Sequence, residues 1–384
     1  MEFTVSKREL LRLMARMHGV AERKSTMTIL SNVFVLAREG NVHLSATDLY
    51  LGVTGRTAAE VTKEGKLAVS ARDFLERIKM MPEGPLQILT QDHSALVIKG
   101  SGTARRYTLR GIPGDDFPRL PSPSEGAEAL TIGAQLFGEL ISKTYFSASV
   151  DETRAHLNSA LFEWENDTVR MVSTDGHRLS KMEMKVGKQT ASARARMLIP
   201  LKALHELRRL CEDVSAGVFQ KEGSKSDQKG LISIMQSQSN AFFEGSGVCF
   251  SVKLVDAQFP PYTQVIPKTS SKKFVIRRAT FAEALRAVSI AAGERIAGVK
   301  LVLNAGTVRI LSESPEGGDG LDELPIEYGG PSITVGFNAK YFLDVLTAMN
   351  EEEVEVLLNG ELDPALIQPV GDKDCVFVIM PMRV

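Results

Sequence analysis

The densest chemistry in the chain is in "STDGHRLS", residues 173–180, directly after the strand-like run "TVRMV". Asp175 two residues before His177 has the residue types of an orienter–base pair for general acid–base work. A hydrolase built on that pair needs a nucleophile on a sharp elbow. The chain has no G-x-S-x-G stretch, and its Ser and Cys residues lie in no local nucleophile signature. Neither a Walker A loop nor an H-E-x-x-H helix is present. The other reading is a shaped corner that holds something. Gly176 admits a backbone turn that a β-carbon resists, His177 and Arg178 offer donors, and Leu179 offers apolar surface. "SATDLYLGV" puts Thr47–Asp48 after a strand in the same way, in the first third of the chain. An acid that recurs at a structural position favours a turn or cap over a base. We therefore assign no catalytic residue, no metal ligand and no cofactor site.

Charge and composition bound the rest. The 384 residues carry 46 Lys+Arg against 47 Asp+Glu, for a net charge of −1. An anionic partner must then be met by local clustering. Lys7, Arg8, Arg12, Arg16, Arg23 and Lys24 crowd the N-terminus, and acids gather late, in "SESPEGGDGLDELPIEYGG" and "NEEEVEV". Such segregation suits a protein that meets a polyanion on one surface. On charge alone, plain solvation of helix faces accounts for it equally well. Cys211, Cys249 and Cys375 are far apart and without CxxC spacing, so neither a disulfide framework nor a zinc site is indicated. The expected setting is reducing cytosol: "MEFTVSKREL" has no apolar signal-peptide core, and no run of about 18 apolar residues occurs.

The elements that must position these residues repeat. "FTVSKRELLRLMARM", "LTIGAQLFGELISKTY" and "FVIRRATFAEALRAVSIA" each read as a strand followed by an amphipathic helix. A second trio lies about 60 to 67 residues further into each third: "LAVSARDFLERIKMM", "MLIPLKALHELRRLC" and "ITVGFNAKYFLDVLTAM". Alternating β-branched runs fill the intervals. "GIPGDDFPRLPSPSEG" and "VDAQFPPYTQVIPKTSS" supply breakers at the boundaries, each with Phe-Pro after a strand. The pattern predicts an α+β chain of three similar domains, 1–122, 127–255 and 256–384. Each has antiparallel sheet on one side and two helices on the other.

Six helices per chain set a geometric condition. Helices pack about 10 Å apart, so six lining a ring enclose a hole only on the order of 10 Å wide, and twelve leave about 30 Å. A DNA duplex is on the order of 20 Å across. A ring around DNA therefore requires a head-to-tail homodimer. Edge strands would form its seam. "ARRYTLRG" (104–111), with Tyr107 and Leu109, and "AVSIAAGERIAGVKLVL" (287–303), with Ile290 and Glu294, are the candidates, although ordinary internal hairpins explain both equally.

"LSATDL", "FPRL", "STDGHRL", "KLVDAQFPPY", "GFNAKY" and a terminal "MPMR" together resemble the bacterial DNA sliding clamp family, the β subunit of DNA polymerase III, along the whole chain. That resemblance implies three clamp domains per chain in a closed dimeric ring, helices inside and sheets outside, and a processivity factor with no activity of its own. It implies a groove for short linear peptides between the second and third domains. Carried over by motif, the groove is lined by Leu157, Thr174, Gly176, His177, Arg178, Leu179, Pro260, Val265, Asn338, Tyr341, Pro364, Val378, Met380, Pro381, Met382 and Arg383. Implied occupants are the polymerase III α subunit, the clamp-loader δ subunit, other polymerases and repair proteins. The implied duplex-facing residues are Arg8, Arg12, Arg16, Lys24, Lys202, Arg209 and Arg277. Gln264, Pro364 and Val384 depart from the family pattern and bear on partner preference.

Overall fold

A computed structural model describes residues 1–22, 26–92, 94–124, 127–187, 194–217, 230–237, 239–292, 298–314 and 318–383. Among them are six α-helices: α1 (Lys7–Val20), α2 (Ala71–Met80), α3 (Ala134–Ser142), α4 (Leu201–Ser215), α5 (Arg278–Ser289) and α6 (Ala339–Ala348). Each follows directly on a strand, as the two repeated trios require. Polar residues at the strand ends start some of these helices. Ser70 Oγ accepts from the Asp73 N–H at 3.3 Å, and Asn338 Oδ1 accepts from the Lys340 N–H at 2.9 Å. Such caps satisfy donors that a helix leaves orphaned and contribute about 1 kcal/mol each.

One stripe of each helix is apolar and buried. α1 buries Leu10, Leu13, Met14 and Met17, α4 buries Leu204, Leu207 and Leu210, and α5 buries Phe281, Leu285 and Val288. Full burial of such side chains is worth about 1.5–3 kcal/mol apiece. Lys143, just past α3, is different. Its side chain is 2% exposed, and its ammonium is held by Glu351 at 2.9 Å and Glu139 at 3.7 Å. Burial pulls its pKa down, but the Glu351 hydrogen bond and the nearby acids outweigh that and hold it above the ordinary lysine value.

The chain divides into two compact units: Met1–Gly138 with Lys202–Leu254, and Glu139–Leu201 with Val255–Val384. The segment 127–255 contributes to both, because each half of its sheet continues a neighbour's. In the first unit, strand Val248–Lys253 pairs antiparallel with strand Leu51–Ala58, completing a 13-stranded sheet. In the second, strand Arg178–Lys185 pairs antiparallel with strand Cys375–Ile379, completing an eight-stranded sheet, and a separate four-stranded sheet holds residues 298–338. We call these two junctions the first and second seams. No helix of the described residues is long and apolar enough to cross a membrane.

Candidate functional site

The corner at 174–178 is a capped turn. Thr174 Oγ1 donates to the Arg178 carbonyl at 2.6 Å and accepts from the Gly176 N–H at 3.1 Å. Asp175 Oδ1 accepts from the N–H groups of His177 and Arg178 at 2.9 and 3.0 Å, and Asp175 Oδ2 accepts from Arg178 Nε at 3.1 Å. The carboxylate is thus committed to backbone and guanidinium. Thr47–Leu51 repeats the pattern. Thr47 Oγ1 meets the Leu51 carbonyl and the Leu49 N–H, and Asp48 Oδ1 takes the Tyr50 and Leu51 N–H groups. Gly176 at φ +95° stands where Leu49 stands at φ +77°.

Behind this corner, in the second unit, lies a mainly apolar cleft of about 190 Å³. The second seam forms its floor, with Leu179 paired opposite Val378. The segment after strand Val248–Lys253 supplies the facing wall. Of the expected groove residues, Leu157, Thr174, Gly176, Arg178, Leu179, Pro260, Val265, Val378 and Met380 line this cleft. His156 and Tyr262 line it too and were missed by the sequence reading; "FPPYTQV" carries Tyr262 between two expected residues, which was the available signal.

The other expected residues stand elsewhere in this unit. His177 is exposed on the turn, its carbonyl accepting from the Met380 N–H at 2.9 Å. Asn338 caps α6. Pro364 precedes strand Ala365–Pro369, and Met382 donates its N–H to the Gly336 carbonyl at 2.9 Å, which carries Pro381 and Arg383 along the strand Ile333–Asn338.

Arg178 requires a correction: its donors do not point to a ligand. Nη1 holds Asp344 Oδ2 at 2.5 Å, Nη2 donates to the Phe146 carbonyl at 2.6 Å, and Nε holds Asp175. The guanidinium also lies 4.6 Å from the Tyr341 ring centroid. With its side chain only 10% exposed, Arg178 is a brace that ties the corner to α6. Tyr341 is thereby a ring packed on this brace. Burial, then Asp175, raise its phenol pKa above the usual value against the opposing pull of Arg178.

The basic residues expected to face DNA are mostly paired. Arg12 holds Glu9 at 3.0 Å, Arg209 holds Glu206 at 2.8 Å, Arg16 is ion-paired with Asp213, and Lys202 with Asp48. Arg8 and Arg277 are exposed. Lys24 lies outside the described residues.

The expected seam strands need a second correction. Strand Gly298–Asn304 has a neighbour on both sides, Thr307–Ser314 and Ile333–Asn338, so it has no edge to offer. Ile290 is 82% exposed on a short 3₁₀ turn after α5, and Glu294 lies outside the described residues. Among the described residues, that sheet ends in Gly318–Pro325 and Ile333–Asn338; the second takes the Met382 N–H on its Gly336 carbonyl, and Gly318–Pro325 is the open end. On the first unit, Tyr107 and Leu109 sit on strand Arg106–Pro113, whose 106–110 stretch pairs with Ala95–Gly100 alone; Leu109 is buried.

Comparison with known proteins closes the assignment. Residues 1–121, 131–261 and 263–383 match the N-terminal, central and C-terminal domains of the DNA polymerase III beta subunit. The chain is 33% identical to the beta sliding clamp of Pseudomonas putida and 29% identical to that of Escherichia coli K12, in each case over 100% of both chains. Its fold matches the crystal structure of the DNA polymerase III subunit beta from Pseudomonas aeruginosa with a TM-score of 0.90 at 30% identity. It matches a sliding clamp from Bartonella birtlesii bound to griselimycin with a TM-score of 0.90 at 31% identity, and both comparisons cover 100% of each chain. With three clamp domains matched in order and relatives this similar along the whole length, the chain belongs to the DNA polymerase III beta subunit family, the bacterial sliding clamps.

Proposed function

We propose that two copies of this chain close head to tail into a ring around duplex DNA and tether the replicative polymerase and other partners to it. One observation carries the proposal: the seam recurs, and each end of the chain holds half of another. At both seams, the last strand of one domain pairs with the fourth strand of the domain before it, in one register: Val252 opposite Leu51, and Ile379 opposite Arg178. Strand Arg106–Pro113 is the last strand of its domain and Gly318–Pro325 the fourth of its own. A second copy supplies each with its neighbour and removes two exposed edges.

The side chains favour that partner. Lys99 and Arg106 face each other across neighbouring strands, with Arg105 beside them, and like charges in that position repel. The open strand Gly318–Pro325 carries Asp319, Asp322, Glu323 and the exposed Leu321. In a ring closed with the same register as the two seams, Arg106 stands opposite Asp322 of the partner subunit and Tyr107 opposite Leu321 of the partner subunit. Tyr107 and Leu109 belong to this interface, with Gly318–Pro325 as the facing strand, and Ile290, exposed on the turn packed beside that strand, stays part of it.

In this reading the domains run 1–122, 127–255 and 256–384, with helices toward the lumen. DNA is held through phosphates alone, by Arg8 and Arg277 first and by the acid-paired Arg12, Arg16, Lys202 and Arg209 in competition with their carboxylates. Polymerase III α, the clamp-loader δ subunit and repair proteins dock apolar residues of short motifs in the cleft. The protein works in the bacterial cytoplasm and has no catalytic step of its own; the engagement of Asp175 in its turn supports that. Solution mass and topology test the proposal together. Sedimentation should give about twice the 41.9 kDa chain. Protein loaded on nicked circular DNA should stay bound at high salt and leave on linearisation. A monomer at micromolar concentration, or equal retention on both DNA forms, refutes the ring.

A further inference from the structure

We infer that Tyr262, which lines the cleft, sets its width through its hydroxyl and so governs which apolar side chains it accepts. The inference rests on the docking role of the cleft proposed above. The wall formed by Pro260, Tyr262 and Val265 is a self-contained turn. Tyr262 N–H bonds to the Pro260 carbonyl at 2.7 Å, and Val265 N–H to the Tyr262 carbonyl at 3.1 Å. Local bonds of this kind shape a turn without fixing its distance from the sheet. Side chains must do that. The rings of Phe259 and Tyr262 meet edge to face at 6.3 Å and are buried in the cluster that contains the floor residues Leu179 and Val378.

Apolar contact alone lets a wall slide; the Tyr262 hydroxyl stops it. It donates to Glu163 Oε2 at 3.1 Å and accepts from Arg170 Nη1 at 3.3 Å. Those two residues sit in a rung of alternating charge across four strands. Arg196 is opposite Glu163, Glu163 opposite Arg170, and Arg170 opposite Glu183. The ion pairs along it measure 3.6, 3.1 and 2.6 Å, and Lys181 adds a contact to Glu183 at 3.3 Å. Each charge is held by a neighbour on the adjacent strand, so the rung is a fixed post. Tyr262 fastens the facing wall of the cleft to it. Tyr262 is therefore a positioning residue whose hydroxyl acts on specificity at a distance from the ligand.

Two fluorescein-labelled peptides, Ser-Leu-Ser-Leu-Leu and Ser-Leu-Ser-Leu-Trp, test this against the full-length protein by fluorescence anisotropy. The wild-type cleft should favour the leucine peptide. Tyr262→Phe keeps the ring and its packing, and it should lower leucine-peptide affinity and shrink the preference by about tenfold, the low end of the weight of one hydrogen bond to a charged group. Glu163→Gln leaves an amide oxygen for the hydroxyl but removes the charge at the centre of the rung, and it should shrink the preference by less than Tyr262→Phe does. A purely structural role would lower the melting temperature of Tyr262→Phe and leave the ratio of affinities unchanged; that result overturns the inference, as does an unchanged ratio at unchanged stability. If the wild-type protein binds neither peptide, the docking role itself fails and the inference falls with it.

Discussion

The two seams are built alike and used differently. Both set a Thr-Asp turn beside a pair of antiparallel strands, with the same turn hydrogen bonds and register. They part at all four residues after the Asp, and the last two of these differ most in what they pack against. Three residues after the Asp, the first seam has Leu51 and the second Arg178; one residue later, the first has Gly52 and the second Leu179. At the first seam, the linker residue Leu120 covers Gly52 so closely that a β-carbon there would lie 2.3 Å from Leu120 Cδ2. At the second, Leu179 occupies the place of Gly52, and the linker residues Pro260, Tyr262 and Val265 line a cleft with it. A repeated scaffold thus gains a cleft where its floor carries Leu179 in place of Gly52, with no change in backbone pairing.

The Asp residues sharpen the contrast, because each turn acid takes a different cation. Asp175 holds Arg178, which is also bound to Asp344; Asp48 holds Lys202, whose side chain is 56% exposed. The largest expected difference follows. Arg178→Ala strands two partly buried carboxylates and should lower stability by about 3 kcal/mol, as removal of one partner of a buried pair does. Lys202→Ala should cost less than about 1 kcal/mol. Urea denaturation of the two variants compares them directly, and equal costs would break the distinction.

Packing comes next. Gly52→Ala should cost about 1–3 kcal/mol, because the new methyl meets Leu120 and Ser251 in a filled space. Adding Leu120→Ala should recover part of that loss, and strict additivity in thermal melts would show that Leu120 does not fill the place that Leu179 takes at the second seam. Electrostatics gives a smaller effect. Asp48→Asn keeps the turn's acceptor but frees Lys202 for phosphate, and it should steepen the log–log salt dependence of DNA association by about 0.9. Asp175→Asn should leave the slope unchanged, since Asp344 still holds Arg178. The smallest effect tests the turn itself. Leu49→Gly relieves a left-handed leucine and should stabilise by no more than about 1 kcal/mol, measurable as a small rise in melting temperature.

Much of this was legible before any coordinates. The period of Leu10, Met14 and Met17 and of Phe281, Leu285 and Val288 is imposed by 3.6 residues per turn, so buried helix faces could be read directly. The Thr-Asp corner announced itself by recurring. Tyr262 did not, because one aromatic in a proline-rich linker has no periodicity to mark it as a wall. The role of Arg178 was misread for a related reason. A guanidinium next to a glycine turn is a free donor in sequence, and only the placement of Asp344, 166 residues away, shows where its hydrogen bonds go. The seam strand was misassigned because strand propensity is the same for an edge strand and for a central one such as Gly298–Asn304.

Residue order by itself determined the three-fold repeat, the strand–helix units and the capped corners, because these depend on contacts within a few residues along the chain. Tertiary structure alone decided which strands keep an open edge, which cations are already paired, and why one seam is filled and the other open. Those depend on groups that are distant in sequence competing for the same volume and the same hydrogen bonds.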